Sequence, residues 1–381
     1  MNGISLVDNT ISNAELDDLA EWIKTYPRLT KGELTKQFEK KWSEWQGANK
    51  SIFVNSGSSA NLLMAAALKY SDRLKNNIVV APTVSWGTTV APFMQLGFDV
   101  HLCDCENDSL GVDINALEKL FIQKNPAVLI IVHVLGVPNK MNEIISLCEK
   151  YNVVLVEDCC EAHGAQYENK KVGTFGEMSS FSYYYGHHMS TIEGGMVSFN
   201  SEKFYEISLM LRSHGWVRDL SKDRQKELID ENKVDDFNSL YFFIHPGFNI
   251  RPTEINAFLG IKQLEKLDEI IQVRNSLWHD YYNELSTSVR TQLPSESTFI
   301  SPLAFGLISE KRDDIVKALN NNSIECRPLI CGSIHKHPFW KKSGDYKNAS
   351  VLHSFGMYVP VHQNMSAADV KRISQLIKAA L

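Results

Sequence analysis

Two adjacent histidines, His187 and His188, stand in the run YYYGHHMSTIEGG (183–195), just ahead of an acidic glycine turn. An imidazole in such a place could take up and return a proton near neutral pH, since its ordinary pKa is about 6.5. Paired histidines also occur without any chemical role, so the remaining chemistry-bearing residues have to decide. SGSSANLL (56–63) opens an amphipathic helix with a Ser/Gly turn. Its free backbone N–H groups and helix dipole suit a phosphate, and the same residues also read as an ordinary serine N-cap.

Asp158 closes the apolar run of VVLVEDCCEAHGA (153–165). A carboxylate at the buried end of a strand calls for a partner, because an unpaired buried charge is costly. One such partner is a protonated pyridine nitrogen, as in pyridoxal phosphate chemistry; the other reading is an acidic residue capping the next helix. Trp86, in PTVSWGTTV, could cover a planar ring or belong to the core. Cys326, Cys331, His335 and His337 offer two thiols and two imidazoles within about a dozen residues, a zinc-type donor set. Their spacing is atypical, and CRPLICGSIHKH reads instead as a substrate loop, so we assign no metal.

These residues need a frame. Between about residues 50 and 200, SIFVNSG, NIVVAPT, DVHLCD, AVLIIVHVLG, NVVLVED and GGMVSFN read as buried strands. ANLLMAAALKYS, INALEKLFIQK and MNEIISLCEKY, with apolar residues three and four apart, read as the helices between them. Strands apolar on both faces, alternating with helices, predict an α/β fold with a mostly parallel sheet covered on both sides. Ligands bind such sheets beyond the carboxyl ends of the strands. Asn55-Ser56-Gly57, Thr83–Trp86, His133 and Asp158 all follow strands. After Tyr241 the pattern changes to a Gly/Pro turn, a long helical pattern, and then short strands (FGLIS, SIECRPLI, MYVPVH) with a terminal helix, SAADVKRISQLIKAAL. At 381 residues the chain exceeds one ordinary core. We divide it into a large domain over 1–250, and a linking helix with a smaller C-terminal α+β domain over 251–381.

A hydrophobic content of 44%, charged residues at 22% and a formal charge of -6 describe a globular chain without a basic stripe for a nucleic-acid polymer. The N-terminal MNGISLVDNTISNAELDDLAEW has neither the basic nor the apolar region of a secretory signal. The longest apolar run, AVLIIVHVLG, is about half the roughly 20 residues of a membrane-spanning helix. Seven irregularly spaced cysteines form no secreted disulfide pattern, so the expectation is a cytoplasmic protein with reduced thiols and no membrane attachment.

NSGSSANLL, PTVSWGTT, EDCCEAHGA, SSFSYYYGHHMSTIEGG, RSHGW and GFNIRPTEINAFLG together resemble the motifs of the DegT/DnrJ/EryC1/StrS-type sugar aminotransferases and dehydratases. The resemblance covers essentially the whole chain. It implies the aspartate-aminotransferase fold (PLP fold type I) and pyridoxal 5'-phosphate or pyridoxamine 5'-phosphate as cofactor. It implies that Gly57, Ser58 and Ser182 bind the cofactor phosphate, Trp86 stacks on the ring, Asp158 pairs with the pyridine nitrogen and Glu161 approaches the ring hydroxyl. Asn249 would reach the phosphate of the neighbouring subunit, implying a homodimer with shared active sites.

In the aminotransferases of this family a lysine stands five residues before the first residue of the Gly-Glu-Gly-Gly turn. Counting back from Ile192 of IEGG, that position is His187. An imidazole has no primary amine to anchor the cofactor covalently, but it can still act as acid and base. This departure resembles the 3-dehydratase branch, and implies that His187 is the catalytic residue in removing the C3 hydroxyl of a nucleotide-diphosphate sugar, a GDP-4-keto-6-deoxyhexose. L-glutamate would regenerate the pyridoxamine form. His188 would be supporting structure. His214, Arg251 and Arg327 are candidate substrate contacts, alongside Arg212 and Arg218, because the guanidinium fork suits phosphate. Three rival readings stand beside this one: an iron-sulfur 3-dehydratase acting on CDP sugars, a conventional sugar aminotransferase, and a cofactor-fold binding protein that has lost its lysine. The iron-sulfur reading needs four thiolates that the scattered cysteines do not display in sequence.

Overall fold

The computed structural model describes residues 3–381; Met1 and Asn2, the first residues of the N-terminal stretch read above, lie outside it. Before residue 200 the strands are β1 (Lys50–Val54), β2 (Ile78–Pro82), β3 (Asp99–Cys103), β4 (Val128–Val132), β5 (Val154–Asp158), β6 (Gln166–Tyr167), β7 (Lys170–Lys171), β8 (Met178–Ser182) and β9 (Gly195–Phe199). The main sheet has the order β1-β9-β8-β5-β4-β2-β3. β9 is antiparallel to both its neighbours, and the remaining adjacent pairs are parallel.

Alternation along the strands explains the near-continuous apolar runs. Val79, Ala81, Val128 and Ile130 face a core with the helix Gly57–Tyr70, whereas Val80, Leu129 and Ile131 face Leu117, Phe121, Ile144 and Leu147 of the helices Ile114–Lys124 and Met141–Tyr151. Both faces are buried, so residues of either parity are apolar.

The later strands are β10 (Arg290–Thr291), β11 (Thr298–Phe299), β12 (Ala304–Ile308), β13 (Arg327–Pro328) and β14 (Gly356–Pro360). An antiparallel sheet, β10-β12-β14-β13, packs Phe305, Leu307, Met357 and Val359 against Trp278 and Tyr281 of the helix Leu267–Leu285 and Ile373 and Ile377 of the helix Ala367–Ala380. β11 pairs with β6, and β6 with β7.

Three features depart from the sequence reading. β8 was not read as a strand, because MSSFS is rich in serine, yet it is fully buried in the sheet. The helix Gly87–Gln95, with Pro92 inside it, also went unread. The long helical pattern after the Gly/Pro turn is two helices, Glu254–Leu264 and Leu267–Leu285, separated at Glu265 and Lys266. The first of these is fixed by Glu254, whose buried carboxylate accepts the N–H groups of Gly32 (2.8 Å), Leu34 (2.8 Å) and Thr35 (2.9 Å). That carboxylate also caps the helix Glu33–Gln46. Among the described residues no helix is long and apolar enough to cross a membrane.

Candidate active site

The reversal of β9 puts the histidine pair at the ligand-binding edge. β8 runs out to the carboxyl edge, and β9 starts back from the same edge, so the loop 183–194 must arch over it. Backbone bonds from Tyr183 N–H to the Gly194 carbonyl (2.9 Å) and from Thr191 N–H to the Tyr183 carbonyl (3.0 Å) close the loop's base. The helix Glu254–Leu264 holds it from outside. Asn256 donates to the carbonyls of Thr191 (2.6 Å) and Glu193 (3.0 Å), and Gln263 accepts the Ser190 N–H at 3.3 Å. The motif GFNIRPTEINAFLG thus positions the loop of another motif.

A cavity of about 570 Å³ lies under this loop. Gly57, Ser58, Trp86, Asp158, Glu161, Ser182, His187 and Arg327 all line it, and no lysine does among the described residues. His214, Asn249 and Arg251 do not line it. They gather elsewhere, with the Ser213–Asn249 bridge beside His214 and Arg251 Nε donating to Asn249 Oδ1 at 3.0 Å; His214 and Asn249 are exposed. Arg212 is buried and ion-paired with Glu39 (2.6 Å) and Asp219 (3.4 Å), and Arg218 lies over the Trp216 ring. The structure therefore collects most of the candidates in one place, sets His214, Asn249 and Arg251 together elsewhere, and buries Arg212 in an ion pair.

At one wall the helix Gly57–Tyr70 begins, capped by Ser56, whose hydroxyl accepts the Ser59 N–H at 3.0 Å. The cap leaves the N–H groups of Gly57 and Ser58 without partners inside the helix. A Cβ on Gly57 would lie 2.5 Å from Ser182 Cβ, so glycine is required for the helix start to approach β8 this closely. Ser58 Oγ meets Thr88 Oγ1 at 2.9 Å. Trp86 is 57% exposed, which excludes the core reading and leaves its ring open to the cavity.

Asp158 is 4% exposed at the end of β5. Its Oδ2 accepts from Asn61 Nδ2 (2.9 Å) and Thr89 Oγ1 (2.7 Å), and its Oδ1 accepts the Cys160 N–H (3.1 Å). Ser180 donates in turn to Asn61 Oδ1 at 2.6 Å. All three donors to the carboxylate are neutral, so the aspartate is oriented but its charge has no cation beside it. Sequence reading missed Asn61 and Thr89. The available signal was an asparagine inside the apolar helix NLLMAAAL, where a buried amide needs a reason.

Glu161 accepts the Leu135 N–H at 2.7 Å. Burial pushes its carboxyl up to about 8, the Leu135 bond opposes this, and the Asp158 charge adds to it. Because the folded value lies above the ordinary 4.5, the unfolded chain releases this proton first as pH rises. The contribution of Glu161 to stability is therefore present below about 4.5 and is lost as pH climbs through about 8. Glu161→Gln should gain stability relative to the parent at pH 8 and little at pH 5, measured as urea midpoints of the cofactor-free protein. An equal difference at both pH values would show that Glu161 is ionised throughout.

His187 is half-buried, with its Nδ1 buried and without a hydrogen-bond partner. Burial lowers its pKa to about 4; the Arg274 guanidinium adds to this, and the Asp158 carboxylate opposes it. His188 points away into the protein, its Nε2 3.1 Å from the Ser301 carbonyl, and is fully buried. The neighbours thus differ: one imidazole opens on the cavity and the other does not.

The zinc-type set is occupied otherwise. Cys331 Sγ donates to the Ser85 carbonyl (2.9 Å), His335 Nδ1 bonds Ser333 Oγ (2.6 Å) and His337 Nε2 meets the Cys331 carbonyl (2.8 Å). Among the described residues, the group close enough to share an ion is His133, Glu157 and Cys159. There the Glu157 carboxylate is already taken by His133 (3.1 Å) and the N–H groups of Gly173, Phe175 and Gly176. No four-thiolate group converges among the described residues, as the iron-sulfur reading would require.

The profile of the DegT/DnrJ/EryC1/StrS aminotransferase family matches residues 9–378. The chain is similar to the GDP-4-keto-6-deoxy-D-mannose 3-dehydratase of Yersinia pseudotuberculosis, 33% identical over 99% of each chain. It superposes on the E. coli GDP-4-keto-6-deoxy-D-mannose-3-dehydratase with bound hydrated PLP at a TM-score of 0.90 and 32% identity, covering 99% of this chain and 100% of that one. A GDP-4-keto-6-deoxymannose-3-dehydratase with a trapped PLP-glutamate geminal diamine matches at 0.90 and 31% identity, over 98% and 100%.

Proposed function

The chain belongs to the DegT/DnrJ/EryC1/StrS aminotransferase family and has the aspartate-aminotransferase fold, and we propose that it is a PLP/PMP-dependent nucleotide-sugar 3-dehydratase. Its substrate is a GDP-4-keto-6-deoxyhexose, from which it removes the C3 hydroxyl, and glutamate restores the pyridoxamine form of the cofactor. The observation that carries the reading is the imidazole of His187 at the lysine position, in a cavity that no lysine lines among the described residues. The similarity to two GDP-4-keto-6-deoxymannose 3-dehydratase structures supports it.

The cavity suits the cofactor on its own chemistry. The N-terminus of the helix Gly57–Tyr70, with Ser58 and Ser182, would hold the phosphate. Trp86 would cover the ring, Asp158 would pair with the pyridine nitrogen, and Glu161 would meet the ring hydroxyl. Asp158, oriented by neutral donors alone, has its charge available for such a cation. When bound, the cofactor supplies an electron sink. His187, neutral at working pH, accepts a proton at its imidazole. As an imidazolium in a buried site it gives that proton up readily, to the oxygen of the departing C3 hydroxyl. Arg327 borders the cavity as a phosphate or sugar contact. His214 and Asn249 are exposed and Arg251, half-buried, is bonded to Asn249, which suits their reaching the site of a partner subunit in a cytoplasmic homodimer.

Supplied with pyridoxamine phosphate and glutamate, the protein should convert GDP-4-keto-6-deoxymannose to its 3-deoxy product, followed in the mass spectrum as the net loss of one oxygen atom from the sugar, with pyridoxal phosphate and ammonia as the other products. Preference for the CDP-linked sugar would overturn the nucleotide assignment. Borohydride reduction of the protein loaded with pyridoxal phosphate should leave the polypeptide unlabelled. A pyridoxyl-peptide at high occupancy would defeat the lysine-free reading.

A further inference from the structure

Next to His187, but not among the residues that line the cavity, the helix Leu267–Leu285 places a guanidinium in the interior. Arg274 is 1% exposed. Its Nη1 donates to the carbonyls of Val361 (2.8 Å), Leu303 (3.2 Å) and Pro302 (3.5 Å), and its Nη2 to the His187 carbonyl (3.4 Å). Its Nε has no partner, and none of its acceptors is a carboxylate. A buried cation is expensive unless paired, so one held by carbonyl dipoles alone should serve a purpose other than stability. Imidazoles surround it. The His163 ring lies 6.1 Å from that of His187 and 5.1 Å from that of His188, and the Arg274 charge acts on all three and on buried His362.

We propose that Arg274 is a positioning residue for His187: it ties the arching loop to the strand ends at Pro302–Leu303 and Val361, and its uncompensated charge keeps the neighbouring imidazole unprotonated. This rests on His187 being the acid–base group of the proposed dehydration. A histidine must begin the cycle neutral and, once protonated, must be ready to release the proton. A fixed positive charge beside it favours both, because it destabilises the imidazolium and not the imidazole.

Other charged and titratable groups also face His187. Asp158 ends β5 and Cys160 and Glu161 follow it, with His163 beyond them; Tyr184, Tyr185, His188 and Glu193 belong to its own loop; Arg327 and Tyr358 lie across the cavity. His362 and, beyond it, Asp8 lie near Arg274. Asp158 acts on His187 in the opposite sense to Arg274, and the Cys160 carbonyl also favours the imidazolium. Burial and Arg274 prevail over them.

The test is a pH titration of the His187 ring in full-length protein labelled at histidine carbons, with the resonance assigned by its loss in His187→Asn. In the parent protein the midpoint should lie near 4. Arg274→Gln retains an amide donor for the carbonyls and removes the charge, so the midpoint should rise by about one unit or more. Arg274→Lys retains the charge and should stay within a few tenths of a unit of the parent. A parent midpoint at or above about 6.5 overturns the proposal whether or not the variants fold. So does a folded Arg274→Gln that titrates like the parent. The titration needs no turnover, so a protein that fails to dehydrate the GDP sugar but titrates as described refutes the function and leaves the electrostatics of Arg274 standing.

Discussion

Asp158→Asn is expected to lower dehydration by about a thousandfold or more while the protein stays folded and still binds the cofactor phosphate. The carboxylate is held by Asn61 and Thr89 at one oxygen and by the Cys160 N–H at the other. An asparagine can keep its single oxygen on only one of these sets. If the oxygen faces Cys160, the new amide meets the Asn61 and Thr89 donors, and Asn61 must turn its own amide over, with the Ser180 hydroxyl rotating to follow. Both adjustments are small, so stability should fall by about 1–2 kcal/mol, the usual range for a disturbed buried hydrogen bond. The loss of charge has no such remedy. Glu161, on which the Asp158 charge acts, retains its proton to about pH 8 and so does not replace it. Turnover should therefore collapse at unchanged helicity, measured by product formation and circular dichroism on the same sample. A variant with a tenth or more of the parental rate would show that Asp158 orients the loop and is not the partner of the pyridine nitrogen.

The residues legible in the sequence are those whose position relative to a strand end carries the meaning. Asp158 closes a strand of β-branched residues, Ser56–Gly57 opens a helix just after one, and His187 is located by its register to IEGG. Their neighbours in space were invisible because the contacts are long-range: Asn61 and Thr89 meet Asp158 across 97 and 69 residues, and Arg274 reaches His187 across 87. β8 escaped for a different reason. Its serines look solvent-facing, but Ser179 donates to the Gly173 carbonyl at 2.7 Å and Ser180 to Asn61, which satisfies both hydroxyls inside the protein. A polar strand of this kind at the centre of a sheet brings the backbone of the Gly57 helix close enough to make the cavity wall, which bulkier apolar side chains would push apart.

His187→Asn and His187→Lys should separate the two capacities that this position can have. The asparagine variant retains roughly the size and polarity of the imidazole but cannot accept a proton at neutral pH. Dehydration should fall by about a thousandfold or more, since in the proposed reaction one group serves as both base and acid, while cofactor affinity changes little. The lysine variant restores a primary amine. Its environment already lowers the imidazole through burial and the Arg274 charge, and both act in the same direction on an ammonium. The introduced amine should therefore be largely neutral and nucleophilic near pH 8 and should bind pyridoxal phosphate covalently, giving a borohydride-reducible absorbance band that the parent lacks. Once engaged in that bond, the amine no longer serves as the acid for the C3 hydroxyl, so dehydration drops in this variant also and transamination at C4 gains relative to it. His188→Asn is the control. That ring is fully buried and bonds the Ser301 carbonyl, so its loss should cost stability and leave the chemistry of the folded fraction intact. Normal dehydration by His187→Asn together with its loss in folded His188→Asn would assign the proton transfer to the other member of the pair.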